Sequence, residues 1–310
     1  MKKMINLAKK TLEKGNLVIF PTETVYGLGG DATNILAIKK IYKLKKRPLN
    51  NPLICHFSKF EEVKKNCELN DLDKKLIKFF WPGPLTLILK KKKTSLIKSL
   101  LSNNKNLIGC RIPKNRIAIK LLRSVNFPVA APSANIATKV SSTHYSHLPK
   151  IFYKETLVLK GGISQIGLES TVIQTSKNCI TILRLGSITI EEIQQKFYKT
   201  KISIKNYKSL SSPGNQKKHY SPNLPLRINV KRVLKNESLL NFGSNKLKSN
   251  ICEYNLSLKG DLNEASKNFF NYLHLLDNPD CKKIAVAPIP NYGLGKTLND
   301  KLKRASYKKN

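Results

Sequence analysis

The sequence predicts an α/β fold built on a twisted mixed sheet with flanking helices. Two observations support this class. Short apolar runs and amphipathic segments alternate irregularly over the first two thirds of the chain, and small polar residues follow most of the apolar runs. Such alternation is typical of a mixed sheet whose strand ends and loops line a cleft. The length of 310 residues leaves room for one large domain and a smaller one.

The composition is that of a folded protein without an export or membrane segment. Apolar residues make up 40% of the chain, and 15 glycines with 15 prolines argue against low complexity. No apolar run reaches the length of a membrane span, and no long apolar region follows Lys2 and Lys3. The six cysteines are isolated in sequence, which is typical of reduced thiols. We therefore expect a cytoplasmic protein with no membrane partner.

The formal net charge of +38 has two interpretations. A field of this strength attracts nucleic acids without a dedicated motif. Alternatively, lysine has accumulated on solvated faces throughout the chain, since only 8 of the 57 basic residues are arginines. We favour the second interpretation for most of the charge, which makes the few arginines the more informative cations.

Residues 17–43 are the most informative part of the chain. The apolar run at residues 17–20 predicts a short buried strand that Pro21 ends. Polar residues then lead into a loop with three glycines at residues 27–30, and an amphipathic helix follows to about Lys43. Such a loop offers hydroxyls, backbone N–H groups and a helix N-terminus to a small polar or anionic ligand. An ordinary turn has the same composition and is the alternative.

A cationic segment with prolines at both ends follows, at residues 45–52. The prolines exclude a helix interior, so we expect a rigid loop that presents Lys45 and Arg47 at a strand edge. A lysine point charge beside an arginine fork suits a polyphosphate, although a solvated basic turn would look the same. Arg111 lies in an apolar strand, where an arginine needs a partner.

The remaining apolar and amphipathic runs predict a series of short elements. We expect helices at residues 4–14, 71–80, about 115–123 and 190–198, and strands at residues 53–56, 85–89, 107–113, 129–131, 156–159, 170–173 and 180–186. His144 and His147 form a His-x-x-His pair. Beside Tyr145 and Pro149, this pair favours a helix end over a metal site.

Seven motifs occur in the order and spacing of the Sua5/YrdC/YciO family, which the sequence resembles over about residues 5–200. They are PTETVYGL at residues 21–28, KKRPLNNPLICH at 45–56, WPGPLT at 81–86, RIP at 111–113, PSAN at 132–135, ESTV at 169–172 and RLG at 184–186. Agreement of seven motifs in order does not arise by chance.

The resemblance continues into the longer, Sua5-type members. SPG at residues 212–214 through HYSP at 219–222 is similar to their interdomain linker, and YGLG at 292–295 with NDKLKRA at 299–305 is similar to the end of their C-terminal domain. It implies a YrdC-like catalytic domain at residues 1–205, a linker or lid at 206–225, and a small Rossmann-like C-terminal domain at 226–310. Strands near 251–256 and 284–289 and a helix near 261–276 are expected in that last domain.

The resemblance also implies an activity. Members of this kind are nucleotidyltransferases that make L-threonylcarbamoyladenylate and pyrophosphate from L-threonine, bicarbonate or CO2, and ATP with Mg²⁺. The product feeds a separate tRNA threonylcarbamoyl transferase complex, which forms the t6A base at position 37 of tRNA.

Site residues follow from the matching motif positions. The residues expected to hold threonine or its carbamate are Thr24, His56, Arg111, Ser133 and Ser170. The residues expected to hold ATP are Lys45, Arg47, Asn51, Asn135, Thr143, Arg184 and Tyr220. Arg111 would pair with the threonine carboxylate, Lys45 and Arg47 would stabilise phosphate charge, and Tyr220 would fold over the nucleotide as a lid. We expect Mg²⁺ to be held mainly by phosphate oxygens and water.

A second class of function competes with the synthase. Single-domain relatives are associated with double-stranded RNA or tRNA binding, and this chain is very basic. A binding-only module would not need Arg111, Ser133 and Tyr220 together with the linker, so we favour the enzyme. Carbamoyl transfer of the hydrogenase-maturation kind is disfavoured, because its zinc-finger and acylphosphatase-like parts are absent. Departures from the family pattern at Ala137, Thr138, Ser142 and Leu107 remove no charged group.

Overall fold

The computed structural model describes residues 1–102, 106–204 and 219–307, so the SPG part of the expected linker lies outside the described residues. The helices in these ranges are α1 Lys2–Glu13, α2 Ile35–Lys45, α3 Phe60–Asn66, α4 Asp71–Phe80, α5 Arg116–Ser124, α6 Lys150–Glu155, α7 Ile190–Lys196, α8 Leu262–Leu276 and α9 Leu294–Ala305. None of them is long and apolar enough to cross a membrane.

The strands in the same ranges number from β1 to β15. They are β1 Val18–Phe20, β2 Gly27–Asp31, β3 Ile54–His56, β4 Cys67–Glu68, β5 Leu85–Lys91, β6 Leu107–Arg111, β7 Val129–Ala130, β8 Leu157–Val158, β9 Thr171–Ser176, β10 Cys179–Arg184, β11 Lys201–Ile204, β12 Leu226–Arg227, β13 Glu237–Asn241, β14 Glu253–Asn255 and β15 Lys283–Val286. They form two separate sheets.

Elements α1 to β11 build an N-terminal unit around one large sheet. Its strand order is β11-β10-β9-β5-β6-β3-β7-β2-β1-β8, with β4 paired to β5. Strand β3 runs parallel to β6, whereas β5 runs antiparallel to β6 and β7 antiparallel to β3. This is the mixed sheet that the sequence predicts.

Strand register brings several of the predicted site residues to one end of this sheet. His56, at the end of β3, is the direct neighbour of Arg111, at the end of β6. Ser170 immediately precedes β9, whose first residue Thr171 lies opposite Leu85 of β5. The central strands therefore carry polar side chains from distant motifs to a common place.

The glycine-rich stretch is a strand, so its prediction as a loop was wrong. β2 pairs antiparallel with β1 over its first three residues. A Cβ atom at Gly29 would lie 2.7 Å from the Phe20 ring, and one at Gly30 would lie 2.9 Å from Leu17. Glycine is needed there because large apolar side chains of the core close over the strand. The polar loop is accordingly restricted to residues 21–26.

The prediction that Lys45 belongs to a loop was also wrong. Lys45 is the last residue of α2, and its side chain lies on the buried face with Ile38 and Ile41. Their spacing of three or four residues places them on one side of the helix. Lys46 ends α2 in the left-handed conformation with φ 51°, and only then does the loop with Arg47 begin.

Other predicted elements are confirmed. Helix α4 has the predicted bounds because Asn70 and Asp73 form a capping box, in which each side chain accepts from the other residue's backbone N–H. Strands β9 and β10 lie where two strands are expected, and they form an antiparallel pair. In the C-terminal part, α8, β14 and β15 lie where the sequence predicts a helix and two strands.

Elements β12 to α9 build a C-terminal unit. Its sheet has the order β12-β15-β13-β14, and all three neighbouring pairs are parallel. Helix α8 packs against β13, β14 and α9. A small parallel sheet with packed helices is the expected Rossmann-like arrangement.

The two units share an apolar cluster. Val25 and Leu168 of the N-terminal unit pack with Tyr220 and with side chains of the C-terminal unit. On the polar side, Thr297 of α9 donates its hydroxyl to the Gly186 carbonyl oxygen at 2.9 Å. The contact lies directly behind the ends of β9 and β10, so it adjoins the polar end of the large sheet.

Candidate active site

A cavity lies at the ends of β3, β6 and β10. Its walls include the polar loop at residues 22–26, the segment 131–133 after β7, and residues 169–170 before β9. Arg47 lines it from the loop after α2, and His219 lines it from the segment that leads into the C-terminal unit. The cavity volume is about 50 Å³, so the site is narrow in this conformation.

Arg111, the last residue of β6, is held by three acceptors. Its Nε donates to the Gly83 carbonyl oxygen at 3.1 Å, Nη1 to Thr24 Oγ1 at 2.8 Å, and Nη2 to Glu23 Oε1 at 2.7 Å. A guanidinium has five N–H groups, so within the described part of the chain two of them are left for a ligand. The side chain is only 4% exposed, which gives an incoming carboxylate a fixed and desolvated fork.

Glu23 fixes the position of Arg111. Its second carboxylate oxygen accepts from the backbone N–H groups of Lys114 at 3.0 Å and Asn115 at 3.3 Å, where α5 begins. The positive end of a helix dipole stabilises a carboxylate in this place. One acidic side chain thus connects the polar loop, the strand that carries Arg111 and the start of a helix.

His56 faces the same cavity as a neutral imidazole. Burial, followed by the nearby charge of Arg111, lowers the pKa of His56 to about 3. Its Nδ1 is buried and has no hydrogen-bond partner in residues 1–102, 106–204 and 219–307. A buried polar atom without a partner costs free energy that a ligand group would recover.

Lys45 and Arg47 place two cations beside the cavity, neither of them in an ion pair with a described carboxylate. Lys45 Nζ donates to the carbonyl oxygens of Ser133, at 2.5 Å, and Asn135, while Arg47 donates to the Asn51 side chain at 2.5 Å. Burial lowers the pKa of Lys45 well below its usual value and that of Arg47 to about 10. Desolvated cations of this kind are stabilised by an incoming anion.

Glu169 connects the cavity to the C-terminal unit. Its Oε2 lies 3.5 Å from Arg184 Nη1 and 3.5 Å from Lys301 Nζ, and it accepts a short hydrogen bond from the Tyr220 hydroxyl. Burial by itself raises the pKa of the Glu169 carboxyl, but Arg184 and Lys301 together hold that pKa well below its usual range. Glu169 is therefore a carboxylate shared by two cations.

Arg184, the last residue of β10, orients Ser170. Its Nη2 donates to the Ser170 carbonyl oxygen at 2.8 Å and to Ser170 Oγ at 3.0 Å, and Ser170 Oγ lies 2.8 Å from Thr86 Oγ1. Gly186 allows this arrangement, since a Cβ atom there would lie 2.4 Å from the Ser170 carbonyl carbon. The Ser170 hydroxyl at the cavity is thus fixed from two sides.

Family models match most of the chain. A model for Sua5, YciO and YrdC proteins, described as telomere recombination, matches residues 10–186. A second model, described as the C-terminal domain of threonylcarbamoyl-AMP synthase, matches residues 188–306. The chain belongs to the Sua5/YrdC/YciO family.

Individual relatives of this Sua5-family chain match it over most of its length. A threonylcarbamoyl-AMP synthase of Pyrococcus abyssi is 33% identical over 97% of this chain and 94% of the relative. One from Bacillus subtilis is 37% identical over 71% of this chain and 65% of the relative. The crystal structure of P. abyssi Sua5 complexed with L-threonine superposes with a TM-score of 0.87 at 31% identity, covering 97% of this chain and 94% of that one.

The cavity brings together many of the residues that the family resemblance singled out. All five residues expected to hold threonine line it, namely Thr24, His56, Arg111, Ser133 and Ser170. Of the residues expected to hold ATP, two line it, namely Arg47 and Arg184. The others do not line it and lie behind or beside its walls, namely Lys45, Asn51, Asn135, Thr143 and Tyr220.

Tyr220, Thr143 and Asn135 have protein partners in this conformation. Tyr220 is fully buried, with its hydroxyl on Glu169. Thr143 Oγ1 lies 3.4 Å from His147 Nδ1. The Asn135 side-chain N–H groups bond to backbone oxygens, whereas its buried Oδ1 has no partner within the described ranges.

Sequence reasoning missed four residues of this site. Glu23 lies inside the polar loop and Glu169 opens the ESTV motif, so both had a local signal. His219 directly precedes Tyr220 of the linker, which is a weaker sequence signal. Lys301 lies in α9, within the motif at residues 299–305 that the resemblance linked to the C-terminal domain but not to the site.

The structure also addresses the His-x-x-His pair. His144 precedes the short 3₁₀ helix Tyr145–His147, so the pair flanks a helix end as predicted. In the part of the chain that the structure describes, no group of three or more His, Cys, Asp or Glu side chains could hold a metal ion.

Proposed function

We propose that this chain is a threonylcarbamoyl-AMP synthase, which makes L-threonylcarbamoyladenylate and pyrophosphate from L-threonine, bicarbonate or CO2, and ATP. One observation carries the proposal. A fixed guanidinium suited to an amino-acid carboxylate and two cations without a described carboxylate partner lie around one cavity. The P. abyssi and B. subtilis synthases, at 33% and 37% identity, support the same reaction.

The threonine side of the cavity contains Arg111 and its partners. The two free N–H groups of the guanidinium bind the threonine carboxylate as a fork. Thr24, Ser133 and Ser170 offer hydroxyls to the amino acid or its carbamate, and neutral His56 offers an unpartnered ring nitrogen. That P. abyssi Sua5 was crystallised with L-threonine supports this assignment.

The nucleotide side of the cavity contains Arg47 and Arg184. Together with Lys45 behind the wall, they supply the positive charge that a triphosphate requires. Asn51 orients Arg47, and Asn135 accepts from Lys45 through its backbone oxygen. Thr143 is assigned to the ATP-binding residues by its motif position alone.

Tyr220 has to move before it can contact a nucleotide. Its side chain is fully buried against Glu169, and the neighbouring His219 narrows the cavity. Because His219 lines the narrow cavity and Tyr220 points away from it, we infer that this segment shifts when ATP binds. We propose that Tyr220 then closes over the bound nucleotide as a lid.

The chemistry requires positioning and charge neutralisation more than a catalytic acid or base. The threonine amine reacts with bicarbonate to give a carbamate and water. A carbamate oxygen attacks the α-phosphorus of ATP, the bond from that phosphorus to the bridging oxygen breaks, and pyrophosphate leaves with the electron pair. Lys45, Arg47 and Arg184 neutralise the charge that develops on the phosphates. Mg²⁺ would accompany the triphosphate, bound chiefly by phosphate oxygens and water.

The product would be used outside this chain. A mixed carbamic–phosphoric anhydride is reactive, so a tRNA threonylcarbamoyl transferase complex has to take it up for t6A formation at position 37 in the cytoplasm. The net charge of +38 also suits a weak interaction with tRNA.

We further propose the division into a catalytic domain at residues 1–205, a linker at 206–225 and a C-terminal domain at 226–310. The presence of two separate sheets supports it, because one ends at β11 and the other begins at β12.

The test is product formation by the purified full chain from radiolabelled bicarbonate, L-threonine, ATP and Mg²⁺. We expect threonine-dependent pyrophosphate and threonylcarbamoyladenylate. Arg111→Lys keeps the charge but loses the fork, so the KM for threonine should rise roughly 10- to 100-fold.

Arg123→Lys, on the exposed face of α5, is the matched control and should behave as the wild type. Pyrophosphate release that does not depend on threonine would contradict the proposal. Absence of product together with tight, salt-sensitive tRNA binding would support the RNA-binding alternative instead.

A further inference from the structure

A surface groove separate from the cavity lies between α2 and α6. The groove and the cavity have no lining residue in common. The groove has a volume of about 810 Å³, whereas the cavity has about 50 Å³. The proposed reaction uses none of the side chains that line the groove, so this second concave surface has no role in the site described above.

The spacing of side chains along the two helices gives the groove its walls. Lys40, Lys43 and Leu44 lie on one face of α2, because they are three or four residues apart. Ile151 and Glu155 are four residues apart on α6 and form the other wall. Each wall therefore combines an aliphatic side chain with charge.

The groove offers aliphatic surface to a ligand. Leu17, just before β1, and Ile136, after the PSAN motif, add to the apolar surface of the two helices. Ile151 is 44% exposed, although it lies beside these apolar neighbours. A concave apolar surface with a charged rim is typical of an interaction site, because covering it removes apolar area from water.

The rim of the groove is mainly cationic. The Lys40 ammonium donates to two oxygens of residues 15–16, at 2.9 and 2.8 Å, and so is fixed at the rim. Among residues 1–102, 106–204 and 219–307, neither Lys40 nor Lys43 nor Lys46 forms an ion pair with a carboxylate. Against these three lysines, Glu155 is the one acidic side chain of the described residues that lines the groove. The groove thus suits a ligand that carries acidic as well as aliphatic groups.

We propose that this groove binds an acidic amphipathic segment of a partner protein. Docking of an amphipathic helix in an apolar groove is a recurring mode of peptide recognition. The aliphatic side chains of the segment cover Leu44 and Ile151, and its acidic side chains pair with the lysines of α2. Glu155 on the other wall repels the reversed arrangement. The inference goes beyond the synthase function and does not depend on it.

Two other occupants fit the groove less well. Single-stranded nucleic acid is usually held by bases that stack on aromatic rings or guanidinium groups. The described lining of the groove contains neither an aromatic side chain nor an arginine. A second copy of this chain carries the same net charge of +38, so two copies repel each other. An acidic partner protein is therefore favoured.

The test is binding of a synthetic peptide to the purified full chain, measured by fluorescence anisotropy. The labelled peptide has about 15 residues, with leucine at helix positions i, i+3, i+4 and i+7 and glutamate at most of the others. A control peptide has the same composition in scrambled order. We expect saturable binding of the ordered peptide and roughly tenfold weaker binding of the scrambled peptide.

Three variants at exposed positions locate the binding site. Lys43→Glu should lower the affinity for the acidic peptide roughly 10- to 100-fold and raise the affinity for a peptide in which lysine replaces glutamate. Ile151→Ser should lower the affinity for the acidic peptide about tenfold, because apolar contact area is lost. Lys120→Glu, on the exposed face of α5, changes the net charge as Lys43→Glu does and should bind within about twofold of the wild type.

Equal affinity of the ordered and scrambled peptides would overturn the inference, and so would equal affinity of Lys43→Glu and Lys120→Glu. Either result would indicate attraction to the general positive charge. A single-stranded RNA that displaces the peptide and binds more weakly to Ile151→Ser would assign the groove to nucleic acid instead. Dimerisation of the wild type that Ile151→Ser abolishes, measured by sedimentation, would assign it to a second copy.

Discussion

The two sides of the cavity are built in different ways. On the threonine side, Arg111 pairs with Glu23, and both belong to the N-terminal unit. On the nucleotide side, Glu169 is shared by Arg184 and Lys301, and Lys301 comes from the C-terminal unit. One side has a closed one-to-one pair, whereas the other has a single carboxylate between two cations.

This difference indicates how the two substrates depend on the fold. The threonine side is determined by strand register and by one loop, all within the N-terminal unit. The nucleotide side depends on the docking of α9 and on the position of Tyr220. We therefore expect mutations at the contact between the units to lower the affinity for ATP more than the affinity for threonine.

The largest effect is expected for Gly186→Ala. A Cβ atom at this position would lie 2.3 Å from Thr171 N and 2.4 Å from the Ser170 carbonyl carbon, so the segment 169–171 must shift. We expect a loss of about 1–3 kcal/mol in the free energy of unfolding. Nucleotide affinity should fall more than threonine affinity, which titration of each ligand would measure.

Gly109→Ala is the matched control for that substitution. Gly109 also lies in the large sheet, but a Cβ atom there would make ordinary contacts of 3.4–3.5 Å. It should change the free energy of unfolding by less than about 1 kcal/mol. Equal destabilisation by the two substitutions would contradict the special role of Gly186.

A smaller effect is expected for Glu23→Gln, and it should concern threonine binding instead of nucleotide binding. The amide has one oxygen, so it cannot serve both Arg111 and the backbone N–H groups of Lys114 and Asn115. Threonine affinity should fall about tenfold, since the fork loses its orientation. The Kd for the ATP analogue should stay within about twofold.

Glu62→Gln serves as the control for Glu23→Gln. Glu62 accepts from the backbone N–H of Ser58 at 2.9 Å and does not line the cavity. It should bind both ligands as the wild type does. If Glu23→Gln lowered the affinity for the ATP analogue more than the affinity for threonine, the proposed division of the site would be wrong.

The smallest effect concerns pH and the contact between the units. His147 stacks on His274 of α8 with ring centres 4.2 Å apart. Burial, together with the neighbouring His274 and His144, lowers the pKa of His147 to about 3. The unfolded chain takes up this proton near pH 6.5, so between pH 6.5 and 3 it binds more protons than the native state. The free energy of unfolding therefore decreases as the pH is lowered.

His147→Gln tests that contribution. Between pH 7.5 and 6.0 the wild type should lose about 1 kcal/mol of unfolding free energy through His147, and the variant should lack this part. Denaturant unfolding at several pH values measures the difference. The prediction fails if both proteins show the same slope with pH.

The sequence was sufficient for the fold class and for several residues that line the cavity. The amphipathic run at residues 71–80 located α4. Motif positions pointed to His56 and Arg111, which the strand register brings together, and to Thr24, which contacts Arg111 at the same cavity. These features depend on local pattern and on neighbouring strands.

The remaining features depend on packing that no local pattern encodes. Gly29 and Gly30 look like turn residues, but they make room for Phe20 and Leu17 inside the sheet. Lys301 belongs to the motif at residues 299–305, but only the docking of α9 brings its Nζ within 3.5 Å of Glu169 Oε2.

The central claim is that the two sides of the cavity can be impaired separately. The most direct measurement is calorimetric titration of L-threonine and of a non-hydrolysable ATP analogue into Glu23→Gln and Arg47→Met. We predict a crossed pattern, in which Glu23→Gln loses threonine affinity alone and Arg47→Met loses nucleotide affinity alone. Loss of both affinities in both variants would contradict the account.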